Sequence, residues 1–218
     1  KSADNIIIHV TGNNAISGWG EASSAPTMTG EFVQGMVAAA EFLKSRLVGA
    51  SITSLQDIKT LIETPLYGND GAISAIEIAM LDLFARTNNC SLIELLGGAK
   101  RQSARALTMI AGGTLDEEID RAKAKQREGF EAFKVKVGSL SAEQDLMRCS
   151  AIREALGGGA FISADANEGY EPLQAAEFAK SAKEYGIDFF EQPVPACDVS
   201  LIRDVASVSS VPLAADEG

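Results

Sequence analysis

The chain has 218 residues, 46% of them apolar, enough for one large or two small domains whose cores need no metal or disulfide staples. Its formal charge of −11 excludes a nucleic-acid-binding or anionic-membrane-binding surface, since both require clustered Lys and Arg. No apolar run reaches the roughly 20 residues of a transmembrane helix, residues 1–30 carry no signal-peptide pattern, and Cys90, Cys149 and Cys197, without metal-type spacing, read as reduced thiols of a cytoplasmic protein.

In chain order, NIIIHV (5–10) and AISGWGEA (15–22), joined by Gly12, Asn13 and Asn14, predict a β-hairpin. The single histidine, His9, falls in its first strand and is expected to be structural; with one His, no Ser-His-Asp or His-Cys machinery can be assembled. Thr29 to Val48, opening on TGEF, predicts an Ala-rich helix, and Ser54 to Ile62 a shorter one. In residues 70–86 the apolar positions Ile73, Ile76, Met80 and Leu83 recur every three or four residues, the spacing of a deeply packed helix. SLIELLGGAK ends this region at Gly97-Gly98, so residues 1–104 read as a small α+β domain.

From Arg105 the pattern becomes rhythmic. The strand-like runs are ALTMIA, FKVKV, AFISAD, IDFFE and VPLAAD. Between them lie helices that begin at Thr114, Ser141, Pro172 and Asp198, the third extending to Glu184. Strands alternating with helices imply βαβ units and a parallel sheet. Residues 105–218 therefore form an α/β domain that is either a partial TIM barrel or a doubly wound sheet. No GxGxxG or GxxxxGK[ST] follows any strand, which removes the main support for a nucleotide-binding version.

Three consecutive strands of this domain end in carboxylates, Asp165, Glu191 and Asp216, at intervals of 26 and 25 residues. In a barrel, strand C-termini form the active-site face. Three carboxylates converging there repel one another unless a cation lies between them, and oxygen ligands suit Mg²⁺, or Mn²⁺. Taken singly, each acidic residue also reads as a helix cap or loop residue. On the preceding strand, Lys134 and Lys136 share one face while Phe133, Val135 and Val137 share the other. A sheet with one wet face would also place lysines so, but parallel strands are usually covered on both sides. An ammonium held near a second one gives up its proton more readily, which would let one of the pair act as a base. A cation site beside paired lysines suits removal of a proton α to a carboxylate, with the cation stabilising the enediolate.

KVKVG (134–138), DANEGY (165–170), EQPV (191–194) and ADEG (215–218), in this order, resemble the enolase superfamily, and within it the muconate-lactonizing-enzyme-like subgroup. GWGEASSAPTMTGE (18–31) and MLDLFAR (80–86) are similar to that family's capping domain, so the resemblance spans essentially the whole chain. It implies a modified TIM barrel preceded by an α+β capping domain, and an Mg²⁺-dependent isomerase of the epimerase or cycloisomerase kind. Asp165, Glu191 and Asp216 would be metal ligands, Lys136 the acid/base, and Lys134 a second catalytic lysine near the substrate carboxylate. Thr108 and Thr29 would contact substrate, and the loop between Ala22 and Thr29 would close over it. GEAxxxxxxTGE beside the lysines looks most like the dipeptide (L-Ala-D/L-Glu) epimerases; muconate cycloisomerases and o-succinylbenzoate synthases share the same catalytic set. The expected partner is a small-molecule carboxylate, a dipeptide, with a homo-oligomer in keeping with the family.

Two departures bear on the site. The family's strand-five motif reads DES, whereas here Asp216-Glu217 is followed by Gly218, which leaves Asp216 and Glu217 both open as the ligand; the spacing favours Asp216. The family's first strand and specificity loop would precede Lys1, and its remaining strands, with a second lysine on strand six, would follow Gly218. A barrel ending after its fifth strand would expose two parallel edges, so a longer polypeptide is expected. The remaining alternative is a non-catalytic α/β binding protein, or an inactive fragment, whose lysines and carboxylates form structural ion pairs.

Overall fold

The structure, a computed structural model, describes residues 4–63 and 66–217; Gly218 of the ADEG motif lies outside the described residues. The chain divides into two compact units, Lys1–Gln102 and Ser103–Gly218.

In the first unit, β1 (Asn5–Thr11) and β2 (Ser17–Ser23) form the expected antiparallel hairpin, with His9 opposite Trp19. Their rings stack with centroids 4.0 Å apart on the exposed face of the hairpin. Among the described residues four helices follow: α1 (Val33–Leu47), α2 (Leu55–Ile62), α3 (Asp70–Thr87) and the single turn α4 (Leu92–Leu95). Serines start α2 and α4, Ser54 pairing with Asp57 and Ser91 with Glu94 in reciprocal capping boxes. The hairpin rests on α3 through small residues. Ala72, Ala75 and Ala79 are fully buried, and a Cβ added to Gly20 would stand 1.9 Å from the Ala75 carbonyl oxygen, so only glycine permits this approach.

The TGEF run does not open a helix. The Met28 and Thr29 N–H groups close a turn on the Ala25 carbonyl, Gly30 takes φ +78°, and α1 begins only at Val33. Glu31 instead serves α3. Both its carboxylate oxygens accept from the Gly71 N–H, at 3.2 and 3.1 Å, placing negative charge at the N-terminus of that helix.

The second unit alternates strand and helix: β3 (Leu107–Ile110), α5 (Leu115–Arg127), β4 (Ala132–Lys136), α6 (Ala142–Leu156), β5 (Phe161–Asp165), α7 (Pro172–Ser181), β6 (Phe189–Glu191), α8 (Val199–Val208) and β7 (Leu213–Ala214). All strand pairs are parallel and the sheet order is β3-β4-β5-β6-β7. A doubly wound sheet would reverse direction at a switch point; sequential order is that of a barrel segment. The starts of α5 and α6 are fixed by Thr114–Glu117 and Ser141–Gln144 capping boxes, and that of α8 by Asp198. Helix α7 ends at Ser181, short of Glu184, because a turn precedes Gly186. Phe133, Val135, Ile162, Ala164 and Phe190 from the strands, with Phe178 from α7, form a core with no exposure to solvent.

Candidate active site

Alternation in β4 divides its residues between two environments. Phe133 and Val135 enter the core, while Lys134 and Lys136 take the opposite face. The register carries that face across the sheet: Lys134 pairs with Ser163, Lys136 with Asp165, Asp165 with Glu191, and Glu191 with Ala214. Asp165 and Glu191 are the last residues of their strands, so the lysines and both carboxylates meet at the C-terminal end of the sheet.

The polar groups there are in direct contact. The Lys134 ammonium donates to Glu191 Oε1 at 2.7 Å and lies 3.3 Å from Asp165 Oδ2. Lys136 Nζ donates to Asp165 Oδ2 at 2.5 Å and to the side-chain oxygen of Asn167. Asp165 is 1% exposed and also accepts the Asn167 N–H at 3.0 Å. Burial pushes its pKa up, but the hydrogen bonds from Lys136 and the Asn167 N–H, with the charges of both lysines, outweigh burial and hold it below 3.8. For Lys134 burial favours the neutral form, yet the hydrogen bond to Glu191 and the charges of Asp165 and Glu191 prevail, and its pKa is raised. The two carboxylates beside it, at 2.7 and 3.3 Å, thus hold Lys134 in its charged form.

The backbone around these residues is unusual. Asn167, Glu168 and Gln192 adopt φ of +41°, +65° and +36° immediately after β5 and β6. Non-glycine residues rarely take such angles, and where they do they cluster at functional sites. Gln192 is buried; its Oε1 accepts the N–H groups of both Asp216 (2.7 Å) and Glu217 (3.0 Å), and its Nε2 donates to the Val194 carbonyl at 2.9 Å. Sequence reasoning singles out DANEGY and EQPV but gives Asn167 and Gln192 no role. The signal available is a side-chain amide one or two residues after each acidic strand end.

Two expected site residues, Asp216 and Thr108, stand apart from this face. Strand β7 ends at Ala214 and the chain bends at Asp216, which breaks the alternation that would have carried the Glu191 face onward; the Asp216 side chain is exposed. It is Glu217 that reaches the cluster, its Oε1 accepting from Asn167 Nδ2 at 2.9 Å. Among the described residues, no group of three His, Cys, Asp or Glu side chains is placed to share a metal ion. The expected three-carboxylate convergence is thus a convergence of two. Thr108 pairs in register with Phe133 and so lies on the helix-facing side of the sheet; Met109, the partner of Lys134, occupies the position expected of Thr108. The one-residue difference between them changes the face. Thr29 belongs to the first unit, where its hydroxyl donates to the Ala25 carbonyl at 3.3 Å.

The donor set suits a hard divalent cation. Asp165 Oδ2 and Glu191 Oε1 already share one positive charge, the Lys134 ammonium, which stands where a cation between them would interact. Glu217 Oε2 is buried without a hydrogen-bond partner, a further oxygen free to accept one.

Two family models match this chain: "Enolase C-terminal domain-like" over residues 117–218, and "Mandelate racemase / muconate lactonizing enzyme, N-terminal domain" over residues 1–97. Chloromuconate cycloisomerase CbnB from Cupriavidus necator is 30% identical over 97% of this chain and 58% of its own length. The L-Ala-D/L-Glu epimerase from Bacillus subtilis is 29% identical; its substrate-liganded structure matches with a TM-score of 0.93 over 99% of this chain and 60% of its own. A dipeptide epimerase from Cytophaga hutchinsonii, solved with Mg and the dipeptide D-Ala-L-Val, is 30% identical with a TM-score of 0.89 over 98% of this chain and 58% of its own. The chain thus spans about three fifths of the length of the proteins it matches.

Proposed function

The chain belongs to the mandelate racemase/muconate lactonizing enzyme family of the enolase superfamily, and on that premise we propose that it takes part in removing a proton α to a carboxylate, in the epimerisation of a dipeptide. The observation that carries this reading is the meeting of Lys134, Lys136, Asp165 and Glu191 at the C-terminal ends of adjacent parallel strands. Similarity to two dipeptide epimerases, one solved with a dipeptide and Mg, supports the substrate class and the metal.

In this reading Asp165 and Glu191 would hold Mg²⁺, with a third carboxylate from the turn after β7, where Asp216 and Glu217 are both candidates and Glu217 reaches the cluster through Asn167. When bound, the cation supplies electrostatic stabilisation of the negative charge that develops on the substrate carboxylate. Lys136 Nζ takes the α-proton, and its contacts with Asp165 and Asn167 hold that atom at the strand ends. Lys134 stays charged and orients the substrate carboxylate. Hydrophobic cover behind β4 and β5 keeps water from the far side of the sheet. The three free thiols fit residence in a reducing compartment.

The test is solvent deuterium incorporation at the α-carbon of Ala-Glu-type dipeptides in MgCl₂. Lys136→Ala should abolish incorporation into at least one epimer; persistence with both epimers would show that Lys136 is not the base. Because a cycloisomerase is equally similar in sequence, muconates belong in the same panel. Turnover of muconate without dipeptide exchange would replace epimerisation by cycloisomerisation.

A further inference from the structure

Behind the lysine face lies a buried polar web that the proposed reaction does not use directly. Arg148, on α6, donates through Nη2 to the backbone carbonyl of Lys136 at 2.6 Å. Its guanidinium is held by Glu118 of α5, at 2.7 and 3.3 Å, and by Asp145 one turn earlier on α6. Glu118 is 2% exposed and Asp145 is completely buried. Asp145 Oδ2 also accepts the Gly138 N–H at 2.9 Å and the Tyr170 hydroxyl at 2.8 Å. One carboxylate thus joins the exit of β4, the helix α6 and the loop after β5. The two loops touch closely: a Cβ on Gly138, which has φ +91°, would lie 2.9 Å from the Ala166 carbonyl oxygen.

We propose that Arg148 is a positioning residue for Lys136, aiming its side chain by clamping the peptide plane at the end of β4; this rests on the reading of Lys136 as the acid/base. Both polar groups of the 136–137 peptide unit are engaged. The Lys136 carbonyl accepts from Arg148, and the Val137 N–H donates to the Asp165 carbonyl at 2.9 Å. With that plane fixed on both sides, the direction in which Lys136 leaves the backbone is fixed as well. Two carboxylates and a guanidinium buried together add little stability over apolar residues of the same volume. Their effect is directional: one fork reaches the carbonyl of the residue that carries the base while its carboxylates hold the neighbouring loops. A proton-transferring group displaced by about 1 Å loses on the order of 10²-fold in rate.

The test uses the 218-residue chain and two variants. Arg148→Lys keeps a positive charge beside Glu118 and Asp145 but cannot bind both and the Lys136 carbonyl. Tyr170→Phe removes only the hydroxyl donor to Asp145 and keeps the ring against Phe178 and Phe190. With lysine labelled at Cε, the Lys136 resonance should move in both variants while distant lysines stay in place. In α-deuterium exchange, Arg148→Lys should lower kcat by about 10²-fold with KM within about twofold. A merely structural role would lower the melting temperature and leave the Lys136 resonance unchanged. A Lys136 resonance coinciding with wild type in folded Arg148→Lys overturns the proposal; should Arg148→Lys not fold, coincidence in Tyr170→Phe does so. A moved resonance in a chain that catalyses no exchange, with or without the substitution, would uphold the positioning role and remove the assigned reaction.

Discussion

Replacing Lys134 with Met tests how Asp165 and Glu191 are balanced. The ammonium lies 2.7 Å from Glu191 Oε1 and 3.3 Å from Asp165 Oδ2, and its side chain is 21% exposed. Removing one partner of a buried ion pair costs about 3–5 kcal/mol. Two features reduce that figure here: a fifth of the side chain is in water, and Asp165 keeps Lys136 at 2.5 Å. Glu191 bears most of the loss, and about 2 kcal/mol is expected, or a melting temperature lower by about 4–8 °C for a chain of this size. Mg²⁺ should then matter more to the variant than to wild type, where the ammonium must yield the carboxylates. A cation at about 100 times its Kd contributes about 2.7 kcal/mol, enough to restore Lys134→Met to the stability of the metal-free wild type. Thermal and urea unfolding in EDTA and in MgCl₂ measure both terms. Equal stability of variant and wild type in EDTA, or an equal Mg²⁺ shift in both, would refute the view that the ammonium and the cation compete for the same two carboxylates.

Three further outcomes are expected. Gly20→Ala drives a methyl into the Ala75 carbonyl and should destabilise the first unit by about 1–3 kcal/mol, read from urea unfolding; an unchanged midpoint would contradict the packing of β2 on α3. Gln192→Ala frees the N–H groups of Asp216 and Glu217 and should weaken Mg²⁺ binding in calorimetry by about 10–100-fold, whereas unchanged affinity would dissociate that turn from the metal. Burial pushes the Cys149 thiol from 9.0 up to about 12. The folded state therefore holds its proton when the unfolded chain has lost it. The contribution of Cys149 is intact below pH 9 and declines by up to about 1.4 kcal/mol per unit as pH rises toward 12. Cys149→Ala should flatten that slope, and iodoacetamide at pH 8 should label exposed Cys197 in the native protein and leave Cys149 unmodified.

Local chemistry was enough to read most elements of the second unit. A capping residue, an apolar period and a β-branched run each act within a few positions, so Thr114, Ser141 and Asp198 mark helix starts on the page as in the fold. The same holds for the site's nucleus. Period-two alternation places Lys134 and Lys136 on one face, and the near-constant spacing of βα units brings Asp165 and Glu191 beside them. The tertiary structure decided whatever depends on partners distant in sequence. TGEF reads as a helix start from Thr29, but the Glu31 carboxylate serves the Gly71 N–H, 40 residues away. Thr108 and Met109 differ by one position, and only the register with β4 says which of them shares the lysines' face. At β7 the alternation stops with the strand, so the bend, together with the amide of Gln192, sets Asp216 and Glu217 apart. Asp145, Arg148 and Tyr170 carry no period or spacing that announces them. Their joint role exists only because α6 and the loop after β5 pack behind the same strand end, where low dielectric makes every unpaired polar group expensive and so forces these three to find one another.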